Sequence, residues 1–471
     1  MAAPGLSSEI QKAVDDYVGA DVFNGDDIRQ AALPKVVEAV DSEGVQLLDL
    51  VVYLEKALSD PGNPQGRRQA IQLLAECLKS ATKLRLNFKH VETFTSFFCS
   101  KLCDWQCVEG ALIGLQVLLT RHAAVMRTLK ANGDHGEPLV AHVARSIFKE
   151  VHTPSHTQQV RKLVLDMVQL LLVSWREEVS GLGAALGDGV NGAIEEERDP
   201  RNLLLSFGIA RRLLADFDAA CVTPDALSSL FETLSSYFPI TFQPPKDDKW
   251  GITGDHLRHG LNSALGATPR FATLAIPFLL DSSKDISAGE SDDTISQALE
   301  TLASCLDSYG PKVAQAHLGD IMSTARDQVC RTATPCPKDF ATAVKQALEV
   351  ALRDVPAGLH PHWLARSVDP ALQALAEDAT SAAPSSLASK GSRRLLLAAA
   401  AAHPLLLQRV WGLLLPGLLA QPAARAGEPE ALAPGALGLV LELTELAQGR
   451  GGSGPLLGPR QLSPALAGAL G

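Results

Sequence analysis

Aromatic residues are scarce in this chain. Phe, Tyr and Trp make up 5% of its 471 residues, while Ala and Leu are abundant. β-Sheets draw on aromatic and β-branched residues, so the balance disfavours strands and favours helices. No convincing run alternates apolar and polar residues with period two. An excess of positive charge is also missing: the formal net charge is -11. The clustered arginines Arg67-Arg68, Arg211-Arg212 and Arg393-Arg394 are isolated pairs, not the basic stripe that grips a phosphate backbone. Direct nucleic-acid binding is therefore not expected. Long apolar runs are lacking too. The closest approach, Leu395–Leu419, is interrupted by His403, Pro404, Gln408 and Arg409, short of the roughly 20 residues that span a bilayer. Met1 to Gln11 carries neither a basic n-region nor an apolar h-region, so no signal peptide and no membrane partner are expected. The eight cysteines, spread over a long chain, then read as free thiols in a reducing compartment.

What the chain does have is helical periodicity almost throughout. Ala70, Ile71, Leu74, Cys77 and Leu78 form one apolar stripe, and Ala111, Leu112, Leu115, Leu118 and Leu119 another. Further stripes run through Leu163, Val164, Met167 and Leu171, and through Ala298, Leu299, Leu302, Cys305 and Leu306. The stripes come in pairs. A helix over about 43–58 ends in Ser59-Asp60-Pro61-Gly62-Asn63-Pro64, and a second follows at once over about 66–80. That order of helix, Asp/Pro turn, basic residue, Ala and leucines resembles a HEAT repeat. Asp104-Trp105 opens another second helix, and later ones are expected near 157, 201, 255 and 293. Their spacing of roughly 40–55 residues suits HEAT units of about 40–47 residues with insertions.

The chain is too long for one compact core. The expected fold is all-α, a HEAT-repeat-like α-solenoid of antiparallel helix pairs, favoured over a non-repetitive bundle. Residues 1–40 read as a helical cap, 41–377 as the solenoid and 378–426 as an Ala/Leu-rich helical segment. Residues 427–471 read as a weakly ordered Gly/Pro-rich tail. No polar capping repeat closes the chain, which reads as a fragment or an early-terminated product. The Gly-rich stretch 181–197, ending in Glu195-Glu196-Glu197, reads as an exposed loop.

Candidate chemistry is thin. Cys99, Cys103 and Cys107 recur every four residues, a spacing that would bring three thiols to one helix face. Structural zinc takes four ligands at tighter Cys spacing, and iron–sulfur runs are spaced differently. With Phe97, Phe98 and Leu102 alongside, core packing is the expectation. Cys330 and Cys336 read as free thiols. His256 and His259, beside Asp255 and Arg258, read as a solvated face. No His-Glu-x-x-His, Gly-x-Ser-x-Gly or phosphate-binding Gly-x-x-x-x-Gly-Lys motif occurs. The glycines at 181, 183, 187 and 189 follow no strand, so no dinucleotide site is expected. No catalytic residue, metal ligand or cofactor can be named.

Three connectors go beyond generic HEAT character. Arg198-Asp199-Pro200-Arg201-Asn202-Leu203-Leu204 opens a helix, with Asp199 placed to cap it and Pro200 in its first turn. Ser236-Tyr237-Phe238-Pro239-Ile240-Thr241-Phe242-Gln243-Pro244-Pro245 is an aromatic, proline-locked link. Thr268-Pro269-Arg270-Phe271, running on to Asp281, starts another capped helix. In this order, with the earlier Arg68-x-Ala70-Ile71-Gln72-Leu73-Leu74 run, they resemble the N-terminal domain of the MMS-nineteen family, over roughly residues 40–310.

The resemblance implies a non-catalytic HEAT scaffold of the cytosolic iron–sulfur assembly machinery, in its late targeting complex. It implies assembly factors as partners, with iron–sulfur clients such as DNA helicases and polymerases. It implies links to nucleotide-excision repair and transcription, and residence in nucleus and cytoplasm. Members are longer and carry a C-terminal HEAT domain. A stacked-helix solenoid offers a long surface to several clients at once. On this reading the connector 237–254 is the candidate contact segment, with Tyr237, Phe238, Phe242 and Trp250 its candidate residues. The plainer, favoured reading makes it a structural plug over helix ends. An importin-like nuclear-transport adaptor is the second functional expectation, and an enzyme the least supported.

Overall fold

A computed structural model describes residues 6–21, 25–42, 44–131, 136–247, 249–284, 292–331, 336–356, 359–381, 386–420 and 434–449. Side chains are described over the same residues except 381, 415–420, 434–438 and 447–449. Among these residues the chain is helical, and the sole β pairing is an isolated bridge between Lys130 and Pro138. The backbone divides into two compact units: Met1–Tyr237 with Phe242–Ala264, and Phe238–Thr241 with Leu265–Gly471. The division falls inside the stretch 41–377.

The first unit begins with α1 (Ser8–Gly19), α2 (Asp26–Asp41) and α3 (Leu47–Ser59), which pack with α4 (Pro64–Ser80). Next come α5 (Phe88–Lys101), α6 (Val108–Arg121), the short α7 (Ala123–Met126), α8 (Leu139–Glu150) and α9 (Gln158–Ser174). They are followed by α10 (Arg176–Ser180), α11 (Ala184–Ile194), α12 (Pro200–Asp216), α13 (Pro224–Ser235) and α14 (Gly254–Leu265). Two rows result. Helices α4, α6, α9 and α12 stack each on the next, and α5, α8, α11 and α13 stack beside them. The helix starts expected near 157, 201 and 255 lie at Gln158, Pro200 and Gly254.

The second unit repeats the scheme with α15 (Ala272–Ser282), α16 (Asp292–Tyr309), α17 (Pro311–Arg326), α18 (Pro337–Leu352) and α19 (His360–Ser367). It continues through α20 (Asp369–Ser381), α21 (Leu387–Ala402), α22 (Pro404–Ala420) and α23 (Pro434–Gly449). Helices α16, α18, α21 and α23 form one row, and α15, α17, α20 and α22 the other. This is the all-α, HEAT-like stacking of helix pairs that the sequence pattern predicts. Among the described residues, no single helix is long and apolar enough to cross a membrane. The run Leu395–Leu419 folds as the α21–α22 pair, broken where His403 is extended ahead of Pro404. Within 427–471, Pro434–Gly449 forms α23, with Leu439, Val440 and Leu443 buried; the rest of that stretch lies outside the described residues.

Local chemistry sets the helix starts. Asn63 accepts from the Gly66 amide at 2.8 Å, and Pro64 fills the first helical position of α4. Asp199 and Pro200 do the same for α12, and Thr223 and Pro224 for α13. Thr268 accepts from the Arg270 amide and opens a 3₁₀ turn that runs into α15. The predicted stripes are the buried faces: Ala111, Leu112, Leu115, Leu118 and Leu119 of α6 are all 0–1% exposed. Each such leucine contributes roughly 1.5–3 kcal/mol, and only a neighbouring helix pair can supply the cover.

The stretch 181–197 is not an exposed loop. It forms α11, which packs on α8 and α13. Its glycines mark close approach. A Cβ on Gly187 would meet the Cys221 carbonyl oxygen at 2.5 Å, and one on Gly189 would overlap the Phe148 ring. A high glycine count thus signals tight helix crossings here. Gly187→Ala should therefore lower stability by about 1–3 kcal/mol in urea unfolding. Gly192→Ala, whose Cβ would meet nothing within 4 Å, should be neutral or raise stability by up to about 1 kcal/mol. Equal effects from the two substitutions would contradict the packing account.

Candidate partner-binding surface

The connector 237–254 is fixed by its neighbours residue by residue. Tyr237 is half-buried, its ring edge-on to Phe207 at 5.7 Å. Its hydroxyl is buried, and burial pushes the phenol above its ordinary range, with the nearby Glu195–Glu197 charges adding to the effect. Phe238 is half-buried, edge-on to Phe278 at 5.7 Å. Ile240 is clamped at the backbone: its N–H donates to Gln297 Oε1 at 3.0 Å, and its carbonyl accepts from Gln297 Nε2 at 3.2 Å. Gln297 is itself buried and donates to Asp293 at 2.8 Å. One side chain thus satisfies both backbone polar groups of a buried residue in an irregular segment, as such a segment requires.

Past Thr241 the chain emerges. Phe242 is half-buried, while the polar residues around it are exposed. Trp250 is 66% exposed, and the Arg201 guanidinium lies 4.8 Å from its ring centroid. The four candidate residues therefore differ in setting. Tyr237 and Phe238 plug helix surfaces, Phe242 is intermediate, and Trp250 presents an aromatic face to solvent. Asp248, of the acidic pair Asp247-Asp248, lies outside the described residues.

Arg201 is aimed by the start of α12. Its Nε and Nη2 donate to Asp199 at 2.8 and 2.6 Å, while Asp199 also caps the helix. The Arg201 hydrogen bonds come first in holding the Asp199 carboxyl below the usual carboxylate range, against its partial burial. Beneath lies Glu197, 3% exposed. It accepts from Arg161 Nε and Nη2 at 3.0 and 2.7 Å, from Asn202 Nδ2 at 3.0 Å, and from the amides of Arg198 and Asp199 at 2.8 and 2.9 Å. Burial alone would raise the Glu197 carboxyl. The Arg161 guanidinium, the Asp199 and Arg198 amides and the Asn202 side chain outweigh it and hold the group below its ordinary value. The sequence reading missed Glu197, taking its Glu-Glu-Glu run for a solvated end; Arg161, 36 residues earlier, is the partner that reading lacked.

The cysteine trio does not share a helix face. Helix α5 ends at Lys101, and Cys103 is exposed in the turn that follows, donating to the Ser100 carbonyl at 3.3 Å. Cys99 and Cys107 are buried, and burial pushes both thiols up to about 12, aided at Cys107 by Asp104. The packing reading thus suits Cys99 and Cys107 but not Cys103. In the turn beyond α5 the Asp104 carboxylate accepts from Arg67 and from the Gln106 amide. Cys330 and Cys336 are free, bonded to Ser392 Oγ at 3.2 Å and to the Asp292 carbonyl at 3.3 Å. His256 and His259 are exposed on α14. Among the described residues, no group of three or more His, Cys, Asp or Glu is placed to hold a metal ion.

Two predictions follow from these contacts. Removing half of a buried pair leaves an uncompensated charge, so Glu197→Gln should cost about 3 kcal/mol at pH 7. A depressed carboxyl stabilises the fold above its unfolded pKa, about 4.3, and loses that contribution as pH falls through the folded value. The gap between wild type and Glu197→Gln should therefore close below about pH 4 in urea titrations; a gap independent of pH would remove the charge from the explanation. Separately, Gln297→Leu should speed hydrogen exchange at the Ile240 amide by about 10–100-fold, the loss of about 1–3 kcal/mol at one buried bond.

The geometry can be set beside known proteins. A family model described as Dos2-interacting transcription regulator of RNA-Pol-II matches residues 51–331. An MMS19 nucleotide excision repair protein homolog of Dictyostelium discoideum is 31% identical over 319 residues, covering 68% of this chain and 27% of that protein. The homolog of Xenopus tropicalis is 32% identical over 307 residues, 65% of this chain and 28% of its own length. The chain thus spans between a quarter and a third of these relatives. A crystal structure of importin beta aligns over 93% of this chain and 52% of its own, at 12% identity and a TM-score of 0.33, too loose to support an argument.

Proposed function

Because the chain belongs to the MMS19 family, whose model matches residues 51–331, we propose that it is a non-catalytic scaffold of nucleotide-excision repair and of cytosolic iron–sulfur protein assembly. In this reading it holds assembly factors together with apo-proteins of DNA repair, replication and transcription, such as helicases and polymerases. It helps deliver clusters to them in cytoplasm and nucleus. The cluster is cargo passed between partners, and no residue of this chain is assigned to it. The observation that carries the reading is the family match itself, seated in each unit on helices that stack row by row on their neighbours, a framework of the kind that offers long surfaces to partners. Within the connector, Trp250 is the residue we assign to partner contact. It is large, 66% exposed and held over Arg201, the kind of preorganised aromatic that anchors an interface.

Affinity purification of the tagged chain from cytosolic and nuclear fractions tests the proposal. Mass spectrometry should recover iron–sulfur helicases or polymerases, or cluster-assembly factors. Trp250→Ala should reduce their yield with little change in the thermal midpoint. Recovery of nuclear-transport machinery alone would replace this reading with a transport adaptor.

A further inference from the structure

The second unit contains a groove of about 880 Å³ that the function above does not use. It lies over α21 between α18 and α23, each helix giving it one stripe. From α18 come Lys338, Ala341 and Lys345; from α21, Arg394, Leu397 and Ala401; from α23, Glu442 and Glu445. One wall and one end are therefore cationic, the opposite wall is anionic, and the floor is apolar and small. Lys338, Arg394, Glu442 and Glu445 are exposed. Among the described residues, neither Lys338 nor Arg394 has an ion-pair partner, and Lys345 has a loose one in Glu349 at 3.7 Å.

We infer that this groove takes an amphipathic α-helix of a partner protein, with acidic residues seven apart on one edge and a basic residue on the other. Lys338 and Lys345 are two turns apart, about 10.5 Å at 1.5 Å per residue, the spacing of positions i and i+7 on an incoming helix. The alanines of the floor let a helix backbone approach closely, and the guest's apolar face lies on Leu397, a helix-in-groove mode. Opposite charges on the two walls fix which way round the guest lies, since the reverse orientation sets like charges against each other. The stretch 450–471 contains two arginines and no Asp or Glu, so it cannot supply the acidic edge. The groove lies past residue 331, where the family model stops. The inference rests on the scaffold reading and adds a site and a partner chemistry to it.

A photo-crosslinker placed by Thr342→p-benzoylphenylalanine, on the exposed face between Lys338 and Lys345, tests it in cells carrying the full chain. The crosslink should map by mass spectrometry to a helical segment of another protein with Asp or Glu at i and i+7. Lys338→Glu, Lys345→Glu and Arg394→Glu together should cut its yield at least tenfold. A peptide of the mapped segment should bind the unaltered chain by fluorescence anisotropy, and a peptide with its acids changed to Lys should bind at least tenfold more weakly. The peptide arm needs no change to the chain, so misfolding of the triple variant cannot decide the result. A crosslink to residues 450–471, to a second copy of the chain or to a segment lacking the acidic edge would overturn the inference, as would no crosslink. If the charge-reversed chain still recovers its repair and assembly partners undiminished, the groove assignment falls and the scaffold stands. If the unaltered chain recovers none, the scaffold reading itself falls.

Discussion

Glu197 is buried with a full negative charge and survives there because five donors converge on it from two successive repeats. Arg161 reaches it from the start of α9, and Asn202 and two amides from the start of α12. A helix pair in a stack can slide along its neighbour with little loss of apolar contact, since dispersion and burial are not directional. A buried carboxylate with fixed donors removes that freedom. Sliding by one turn would leave the charge unpaired, at a cost several times that of an exposed ion pair. The same device recurs with smaller groups. Arg67 on α4 donates to Asp104 ahead of α6 at 2.6 Å, and Ser296 on α16 donates to Asp339 on α18 at 2.6 Å. Each bond joins the start of one second helix to the start of the next. Hydrophobic stripes hold the repeats together, and these polar bonds set their register.

That division of labour explains what could be read from the sequence. The stripes are periodic within one helix, so they predicted the helix faces, and the cap at Asp199 predicted where α12 begins. The register bonds span about 40 residues and carry no local signature, so Glu197 looked like one residue of an acidic run. Glycine misled for a related reason. Gly187 and Gly189 are read locally as flexible, but their role is set by the Cys221 carbonyl and the Phe148 ring on other helices. The cysteine trio failed differently: equal spacing means one helix face only if the helix continues, and α5 stops at Lys101.

The connector shows how little aromatic content such a fold needs. Tyr237, Phe238 and Trp250 each meet one specific partner, in Phe207, Phe278 and Arg201. The sequence singled out the segment because its aromatics and prolines are foreign to a HEAT turn. It could not apportion them between plug and contact, because that depends on Gln297, 57 residues further on, which holds Ile240 at both backbone groups.

A stack in which each repeat touches only its neighbours can vary one surface without disturbing another, because no residue reports to a shared core. The stretch matched by the family model ends at residue 331, and the charged groove begins at Lys338. Lys338, Arg394, Glu442 and Glu445 sit on exposed positions of α18, α21 and α23, while the buried faces of those helices carry the packing: Phe340 and Val344 on α18, Leu395 and Leu396 on α21, Leu443 on α23. Selection for a partner could therefore act on Lys338, Arg394 or Glu442 with almost no effect on the buried faces. An enzyme active site rarely allows that separation, since its reactive groups are desolvated and their cost falls on the core. The thiols Cys77 and Cys305, buried and pushed up to about 12, mark the contrast: their setting suppresses reactivity. Buried thiols held protonated, beside exposed Lys338 and Arg394 that have no ion-pair partner among the described residues, fit the recognition role proposed above better than a catalytic one.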